Sequence, residues 1–155
     1  MMSALDKILE QIEACLRSGT HQPAETERFE LKPCPSTSVE WREIAKSINA
    51  FLNTRGGIVI LGLREEQTSD GKKRFVFTGY REDAEAKIKD LSRIFTDVQD
   101  RPLNLTNYFP ELQIRPSHTG RVAIIFVDEM PADEKFCFYR KEALQAAFNR
   151  RPQVK

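Results

Sequence analysis

The sequence SINAFLNTRGGIVILGL, residues 47–63, contains the end of a helix, a glycine turn and an apolar strand. The run 58–63 is continuously apolar and begins with three β-branched residues, which predicts a central strand buried on both faces. The paired Gly56 and Gly57 before it permit a positive φ or a close approach of the backbone. Upstream, apolar residues recur at helical spacing and predict a helix that packs one face into the core. These residues are Trp41, Ile44, Ala45, Ile48, Phe51 and Leu52.

A second amphipathic helix is predicted near the start of the chain, over residues 3–18. Its apolar residues fall on one stripe, Ser3 and Asp6 resemble a capping box, and Gly19 stands where a glycine ends a helix. The other predicted elements, in chain order, are strands at 28–32 and 74–77, a helix after Tyr80 with Ile88, Leu91, Ile94, Phe95 and Val98 on its inner face, strands at 112–114, 122–127 and 136–139, and a helix beginning at 142–148. This order predicts an α/β (α+β mixed) single domain over residues 1–148, with a mixed β-sheet flanked by helices.

The composition excludes several classes of protein. With 40% hydrophobic and 30% charged residues among 155, the chain has the make-up of an ordinary globular domain. No apolar run approaches the ~18 residues of a membrane span, and acidic residues among the N-terminal leucines argue against a secretory signal. Three scattered cysteines without CxxC spacing argue against a disulfide framework or a cysteine zinc site, and they favour the cytoplasm.

Charge is balanced overall but not along the chain. Lys and Arg number 24 against 23 Asp and Glu, and the formal net charge of +1 argues against strong indiscriminate binding to nucleic acid. From residue 135 onward the only acid is Glu142, and the basic residues are Lys135, Arg140, Lys141, Arg150, Arg151 and Lys155. This segment favours phosphate contacts, although a solvated end explains it equally well. Residues 149–155 read as a basic C-terminal tail that stops within an element, which suggests a truncated chain.

Several catalytic motifs are absent from the sequence. The Gly-Lys pair at 71–72 has no glycine five residues upstream, so a P-loop is excluded and no nucleotide is expected. GxGxxG, HExxH and GxSxG are also missing. His21 and His118 stand in polar loops without ligand spacing, which predicts exposed side chains rather than metal ligands or catalytic bases.

Two stretches together resemble the Schlafen AlbA-type domain. The first is ETERFELK, residues 25–32, in which a glutamate stands five residues before an E-[FL]-K strand. The second is the helix end, glycine turn and apolar strand at 48–63, and an aromatic strand ending in Tyr139-Arg140 also fits. The resemblance covers most of the chain and implies an α/β domain that binds nucleic acid. In some Schlafen members it also implies metal-dependent cleavage of structured RNA, such as tRNA, through three carboxylates.

Carried over by position, the three carboxylates of the family fall on Glu25, Glu30 and Glu65, as catalytic residues and as ligands of Mg²⁺ or Mn²⁺. The first two keep the family spacing. The third departs from it, because Arg64-Glu65 stands where the family has paired aspartates. A glutamate can ligate these cations. Its side chain is longer than that of the aspartate in the family, however, and the adjacent arginine adds a positive charge that would compete with a metal ion. Alternatively, Glu30 belongs to a solvated strand face with the basic residues two positions on either side.

Basic residues predict where phosphates would bind. Lys32 would offset negative charge that develops on a reacting phosphate. A hairpin predicted from the Asp70-Gly71 turn signal before the strand at 74–77, together with the C-terminal segment, would contact the nucleic-acid backbone. The predicted nucleic-acid-binding residues are Lys32, Lys72, Lys73, Arg74, Arg140 and Lys141. RNA is favoured over DNA as the partner. The alternatives are a non-catalytic DNA-binding module of a larger transcriptional regulator, and an assembly subunit that forms a homo-oligomer or joins another protein.

Overall fold

The computed structural model describes residues 3–23, 28–91, 94–103, 112–133, 135 and 138–139. Outside them lie three predicted site residues and two predicted segments, namely Glu25, Arg140, Lys141, 142–148 and 149–155. The helices and strands, in chain order, are α1 (Ala4–Ser18), β1 (Phe29–Lys32), α2 (Ser38–Asn53), β2 (Gly57–Leu61), β3 (Leu63–Gln67), β4 (Lys73–Phe77), a 3₁₀ turn (Glu82–Ala84), α3 (Glu85–Leu91), β5 (Phe95–Thr96), β6 (Gln113–Ser117), β7 (Gly120–Val127) and β8 (Phe138–Tyr139).

Four strands form one mixed sheet in the order β1-β2-β7-β6. β1 runs parallel to β2, whereas the β2–β7 and β7–β6 pairs are antiparallel. A second sheet consists of the hairpin β3–β4, and the short β5 pairs with β8. In the described part of the chain, β1 and β6 are the edges of the four-stranded sheet. These pairings confirm the predicted α+β single domain with a mixed sheet.

Helices cover both faces of this sheet, and β2 is buried between them. On one face α2 packs on Val59 and Leu61, which form the α2 core with it. On the other face α1 packs on Ile60, together with Leu31 of β1 and Ile124 of β7, which form the α1 core. These five side chains are at most 4% exposed. The continuous apolar run of β2 therefore serves two cores, as its sequence predicts.

α1 is fixed to the sheet along its length. Ser3 and Asp6 form the predicted capping box at its start. The Arg115 guanidinium of β6 binds the Asp6 carboxylate at 2.5 Å, and hydrogen bonds from Arg115 and Ser3 hold the pKa of Asp6 below its usual value. Further along the helix, Glu13 accepts a hydrogen bond of 2.7 Å from the backbone N–H of His118, in the turn between β6 and β7. α1 is thus an integral layer of the molecule.

The glycine pair after α2 allows two close approaches. Gly56 has a φ of +74°, and a Cβ there would lie 2.5 Å from the Val127 carbonyl oxygen. A Cβ on Gly57 would lie 2.5 Å from the Phe51 ring. The Gly56 N–H also donates to the Phe51 carbonyl at 2.8 Å. Glycine is therefore needed at both positions to bring the end of α2 against β2 and β7.

β2 ends earlier than its sequence predicts. Leu61 is its last residue, Gly62 has a φ of +112°, and β3 begins at Leu63. The Gly62 N–H donates to the Lys32 carbonyl, at the end of β1, at 2.9 Å. In an uninterrupted strand Leu61 and Leu63 would share a face, but Leu61 packs in the α2 core and Leu63 in the α1 core. The bend at Gly62 therefore reverses which residues face each core.

The third helix is shorter than predicted. Of its five predicted inner residues, Ile94 and Phe95 are buried beyond the helix, at the short strand β5, and Val98 is 77% exposed. Asp97 organises a turn at this point, because its carboxylate accepts a hydrogen bond of 2.9 Å from the backbone N–H of Arg101. The apolar spacing continues past the end of α3, but the backbone does not remain helical.

The remaining predicted strands are present with shifted bounds. β6 extends beyond the predicted 112–114 to Ser117, and its Pro116 is tolerated because β6 is an edge strand. β7 begins two residues before the predicted 122–127. β8 is Phe138–Tyr139 of the predicted 136–139, and residues 136–137 lie outside the described residues. No helix within the described ranges is long and apolar enough to cross a membrane.

Candidate nucleic-acid interface

The β3–β4 hairpin separates its charged residues onto two sides. Leu63 and Phe75 belong to the α1 core, and Glu65 is paired in register with Phe75. Glu65 therefore faces α1. Arg64 and Glu66 alternate with Glu65 along β3, so they face away from α1.

The Glu65 carboxylate is engaged on the α1 side. Its Oε2 lies 2.7 Å from His21 Nε2, and its Oε1 lies 3.7 Å from Lys73 Nζ. The His21 ring packs on Phe75 with the ring centroids 4.7 Å apart. The side chains of His21 and Glu65 are only 15% and 19% exposed, so the predicted exposure of His21 is wrong. The residues that cover the His21 ring, Glu65 and Phe75, lie on strands far from it in the sequence. His118 is exposed, as predicted.

Glu30 faces the other side of the sheet. Its neighbour Leu31 is buried in the α1 core, so the alternation of β1 places Glu30 and Lys32 on the side away from α1. The register agrees, because Glu30 pairs with Val59, which belongs to the α2 core. The two described members of the predicted carboxylate set, Glu30 and Glu65, therefore face opposite sides.

The described residues do not fit a metal site. No group of three His, Cys, Asp or Glu side chains among them could hold a metal ion. Carboxylates are suitable ligands for Mg²⁺ and Mn²⁺, but the Glu65 carboxylate binds His21 and faces away from Glu30. Because Glu25 lies outside the described residues, the set of three carboxylates stays a prediction.

Two of the three predicted cations of the hairpin are already paired. Lys73 approaches Glu65 on the α1 side, at 3.7 Å. On the other side, Arg74 Nε donates to the Glu66 carboxylate at 2.5 Å. Lys72 is exposed and forms no ion pair with any described residue. A phosphate at the hairpin would therefore compete with carboxylates for Lys73 and Arg74.

A second group of cations surrounds the glycine turn, and the sequence pattern pointed only to Lys135 among them, as part of the basic C-terminal segment. Arg28 Nη2 lies 3.5 Å from the Arg55 carbonyl oxygen, and Lys135 Nζ lies 3.3 Å from that of Thr54. Lys135 also pairs with Glu129. The Arg55 side chain is exposed and forms no ion pair within the described part of the chain. The position of Arg55 inside the glycine motif is a second sequence signal that could have pointed to this group.

The family model described as Schlafen, AlbA_2 matches residues 25–151. The chain belongs to this family. The Schlafen AlbA_2 match includes β1, α2 and the glycine turn, and it includes Glu30 and the three cations Arg28, Arg55 and Lys135. α1 precedes the matched residues, so the helix that completes the second core lies outside the region that the family shares. The family indicates a function related to nucleic acid.

Of two similar solved structures, one shares the fold of this Schlafen AlbA_2 domain. The N-terminal domain of an ATP-dependent DNA helicase RecG-related protein from Nitrosomonas europaea, solved by NMR in solution, has a TM-score of 0.53 at 18% identity, over 87% of this chain and 78% of that chain. The DIP2311 protein from Corynebacterium diphtheriae has a TM-score of 0.42 at 17% identity, over 81% of this chain and 22% of that chain. The curated proteins include no match. The first likeness supports the fold.

Proposed function

We propose that this Schlafen AlbA_2 domain binds nucleic acid and that structured RNA is its preferred ligand. Family membership over residues 25–151 carries the proposal. The similar domain from Nitrosomonas europaea belongs to a protein named as DNA helicase-related, which supports nucleic acid as the ligand class and makes DNA the competing ligand. The net charge of +1 limits the affinity to what local basic surfaces supply.

Fluorescence anisotropy with labelled probes tests this proposal. The probes are an RNA hairpin, a DNA hairpin of the same sequence and a single-stranded RNA of the same length, each titrated in EDTA. We expect the RNA hairpin to bind most tightly, with the logarithm of the affinity falling linearly as the logarithm of the salt concentration rises. Equal or tighter binding of the DNA hairpin would overturn the RNA preference and favour the DNA-binding module. Absence of binding to every probe would overturn the proposed function.

Metal-dependent cleavage of structured RNA stays a prediction within this proposal, with Glu25, Glu30 and Glu65 as its residues. The oxygen donors suit Mg²⁺ or Mn²⁺, whereas the contact of Glu65 with His21 opposes their assembly. Incubation with tRNA and either cation is the test. Cleavage that is lost in EDTA and in Glu30→Gln, and kept in the exposed α1 variant Glu10→Gln, would support the reaction. No cleavage, or cleavage that Glu30→Gln leaves unchanged, would exclude it.

The oligomeric state and the cytoplasmic location also stay predictions. Cys15 and Cys34 are free and buried, which supports a reducing compartment. Multi-angle light scattering of the whole chain measures the oligomeric state. A strict monomer would remove the assembly subunit from the alternatives.

A further inference from the structure

We propose that the nucleic-acid backbone binds along the edge of β1, on the side of the sheet that faces away from α1. This inference rests on the proposed function and names its binding surface. The surface is called the β1 track and comprises Arg28, Lys32, Arg55, Arg64, Arg74 and Lys135.

β1 supplies the middle of the track. Arg28, Glu30 and Lys32 alternate with residues buried in the α1 core, so all three lie on the side away from α1. The Ile58 N–H donates to the Arg28 carbonyl at 2.8 Å, which extends the pairing with β2 to the first of these residues. Among the described strands, β1 is an edge of the four-stranded sheet. The track therefore contains Glu30 between two cations.

The glycine turn supplies one end of the track. Arg28 and Lys135 donate to the carbonyl oxygens of Arg55 and Thr54, at 3.5 and 3.3 Å. These contacts gather three cations at the start of β1. Glu129 pairs with Lys135 and offsets one of them. Arg28 and Arg55 are exposed, whereas Lys135 is half-buried, so the two arginines present this end of the track to solvent.

The hairpin supplies the other end. The Gly62 N–H binds the Lys32 carbonyl, so β3 begins beside the end of β1. The bend at Gly62 turns Arg64 and Arg74 to the side away from α1, which is also the side of Lys32. Both arginines bind Glu66, Arg64 at 3.2 Å and Arg74 through Nε at 2.5 Å. Two cations against one carboxylate leave a positive charge at this end.

The dimensions and the ion pairs identify the strongest phosphate contacts. Arg28 and Lys32 are about 13 Å apart at ~3.3 Å per residue, which is far enough for each to contact a different phosphate of one strand. Lys32 and Arg55 form no ion pair with any described residue. Lys73, on the α1 side, lies 3.7 Å from a Glu65 carboxylate oxygen. A phosphate therefore gains most at Lys32 and Arg55, because it displaces no carboxylate there.

Anisotropy titrations of the whole chain with the RNA and DNA hairpins, at several salt concentrations, test the track. We expect Arg55→Ala and Lys32→Ala each to weaken binding roughly 3–10-fold at low salt and to reduce the salt slope by about 0.7–0.9. Arg55→Lys should restore most of the affinity, because it keeps the charge. The matched control is Arg17→Ala on α1, which should bind as the wild type does.

Two neighbouring residues of β4 give the sharpest comparison. Lys73 and Arg74 carry the same charge but face opposite sides, so Arg74→Gln should weaken binding more than Lys73→Gln does. Equal losses in this pair would overturn the track. So would unchanged binding in Arg55→Ala and Lys32→Ala while the wild type binds and thermal melts show all variants folded. A wild type that binds none of the probes would instead overturn the proposed function, so the two failures are distinguishable.

Discussion

Gly56 combines a φ of +74° with a close approach to the Val127 carbonyl, whereas Gly71 has a φ of +82° and open space around it. Replacing Gly71 by alanine therefore measures the free-energy cost of a positive φ alone, whereas replacing Gly56 measures that cost together with the cost of a steric clash. We expect Gly71→Ala to lower the free energy of unfolding by about 1 kcal/mol. Gly56→Ala should lower it by about 2–4 kcal/mol, because the clash adds to the backbone cost. Urea denaturation measures both, and equal losses would contradict the role of the clash.

Tyr80 has a buried hydroxyl without a hydrogen-bond partner in the part of the chain that the structure describes. Burial, together with the nearby Glu85 carboxylate, raises its pKa to about 12. Because a tyrosine in the unfolded chain titrates near pH 10, the stability that the neutral phenol contributes is complete below about pH 10 and is lost as the pH rises through 12.

Tyr80→Phe should therefore keep or raise the melting temperature at neutral pH, since it removes a polar group that gains no hydrogen bond. It should also reduce the loss of stability above about pH 10. Thermal melts across this pH range measure both effects. A melting temperature well below that of the wild type at neutral pH would show that the hydroxyl is bonded in solution.

Among the elements, α1 contributes stability through one buried face. Ile12 is 1% exposed in the α1 core, whereas Glu10 lies on the exposed face of the same helix. We expect Ile12→Ala to lower the free energy of unfolding by about 2–5 kcal/mol, because it leaves a cavity between helix and sheet. Glu10→Ala should change it by less than about 0.5 kcal/mol. Chemical denaturation gives both values, and a small loss in Ile12→Ala would mean that α1 packs loosely.

For the whole molecule, the shared strand β2 predicts a single unfolding transition. Ile60 and Leu61 are adjacent in β2 but lie in different cores. Trp41, the one tryptophan of the chain, is buried in the α2 core and reports on it by fluorescence. We expect this signal and far-UV circular dichroism to show the same melting temperature. Ile12→Ala, on the opposite face, should shift both equally, and a Trp41 transition that stays unmoved would show that the cores unfold independently.

Periodicity predicts α1, α2 and the centre of β2 because their apolar residues repeat over long, consistent stretches. It fails where the apolar pattern continues through a change of backbone direction. Leu63 extends the apolar run of β2 beyond Gly62, and Ile94 and Phe95 continue the spacing of α3 after Leu91. A residue with a positive φ, or a turn that a carboxylate stabilises, does not alter the spacing of apolar residues in the sequence. Element type is therefore more predictable here than the point at which an element ends.

At the candidate interface, sequence could name charged residues but not their partners. The side of Glu30 follows from the alternation of β1, which is a local pattern. The contact between His21 and Glu65 joins residues 44 positions apart. Arg28, Arg55 and other members of the β1 track likewise come together only when the sheet forms. Pairing of this kind determines which cations stay available to a phosphate, and it requires the tertiary structure.

Because of the bend at Gly62, the orientation of the hairpin side chains depends on the number of residues after this glycine as well as on the residue types. Each residue of β3 faces the side set by its distance from this glycine, with Arg64 directed away from α1 and Glu65 directed toward it. A one-residue insertion or deletion just after Gly62 would exchange these two neighbours and carry the positive charge to the side of His21. When this hairpin is aligned or grafted, a one-residue insertion or deletion at Gly62 therefore changes the side on which every charged residue of β3 lies. A conservative replacement at Glu65 changes only one side chain.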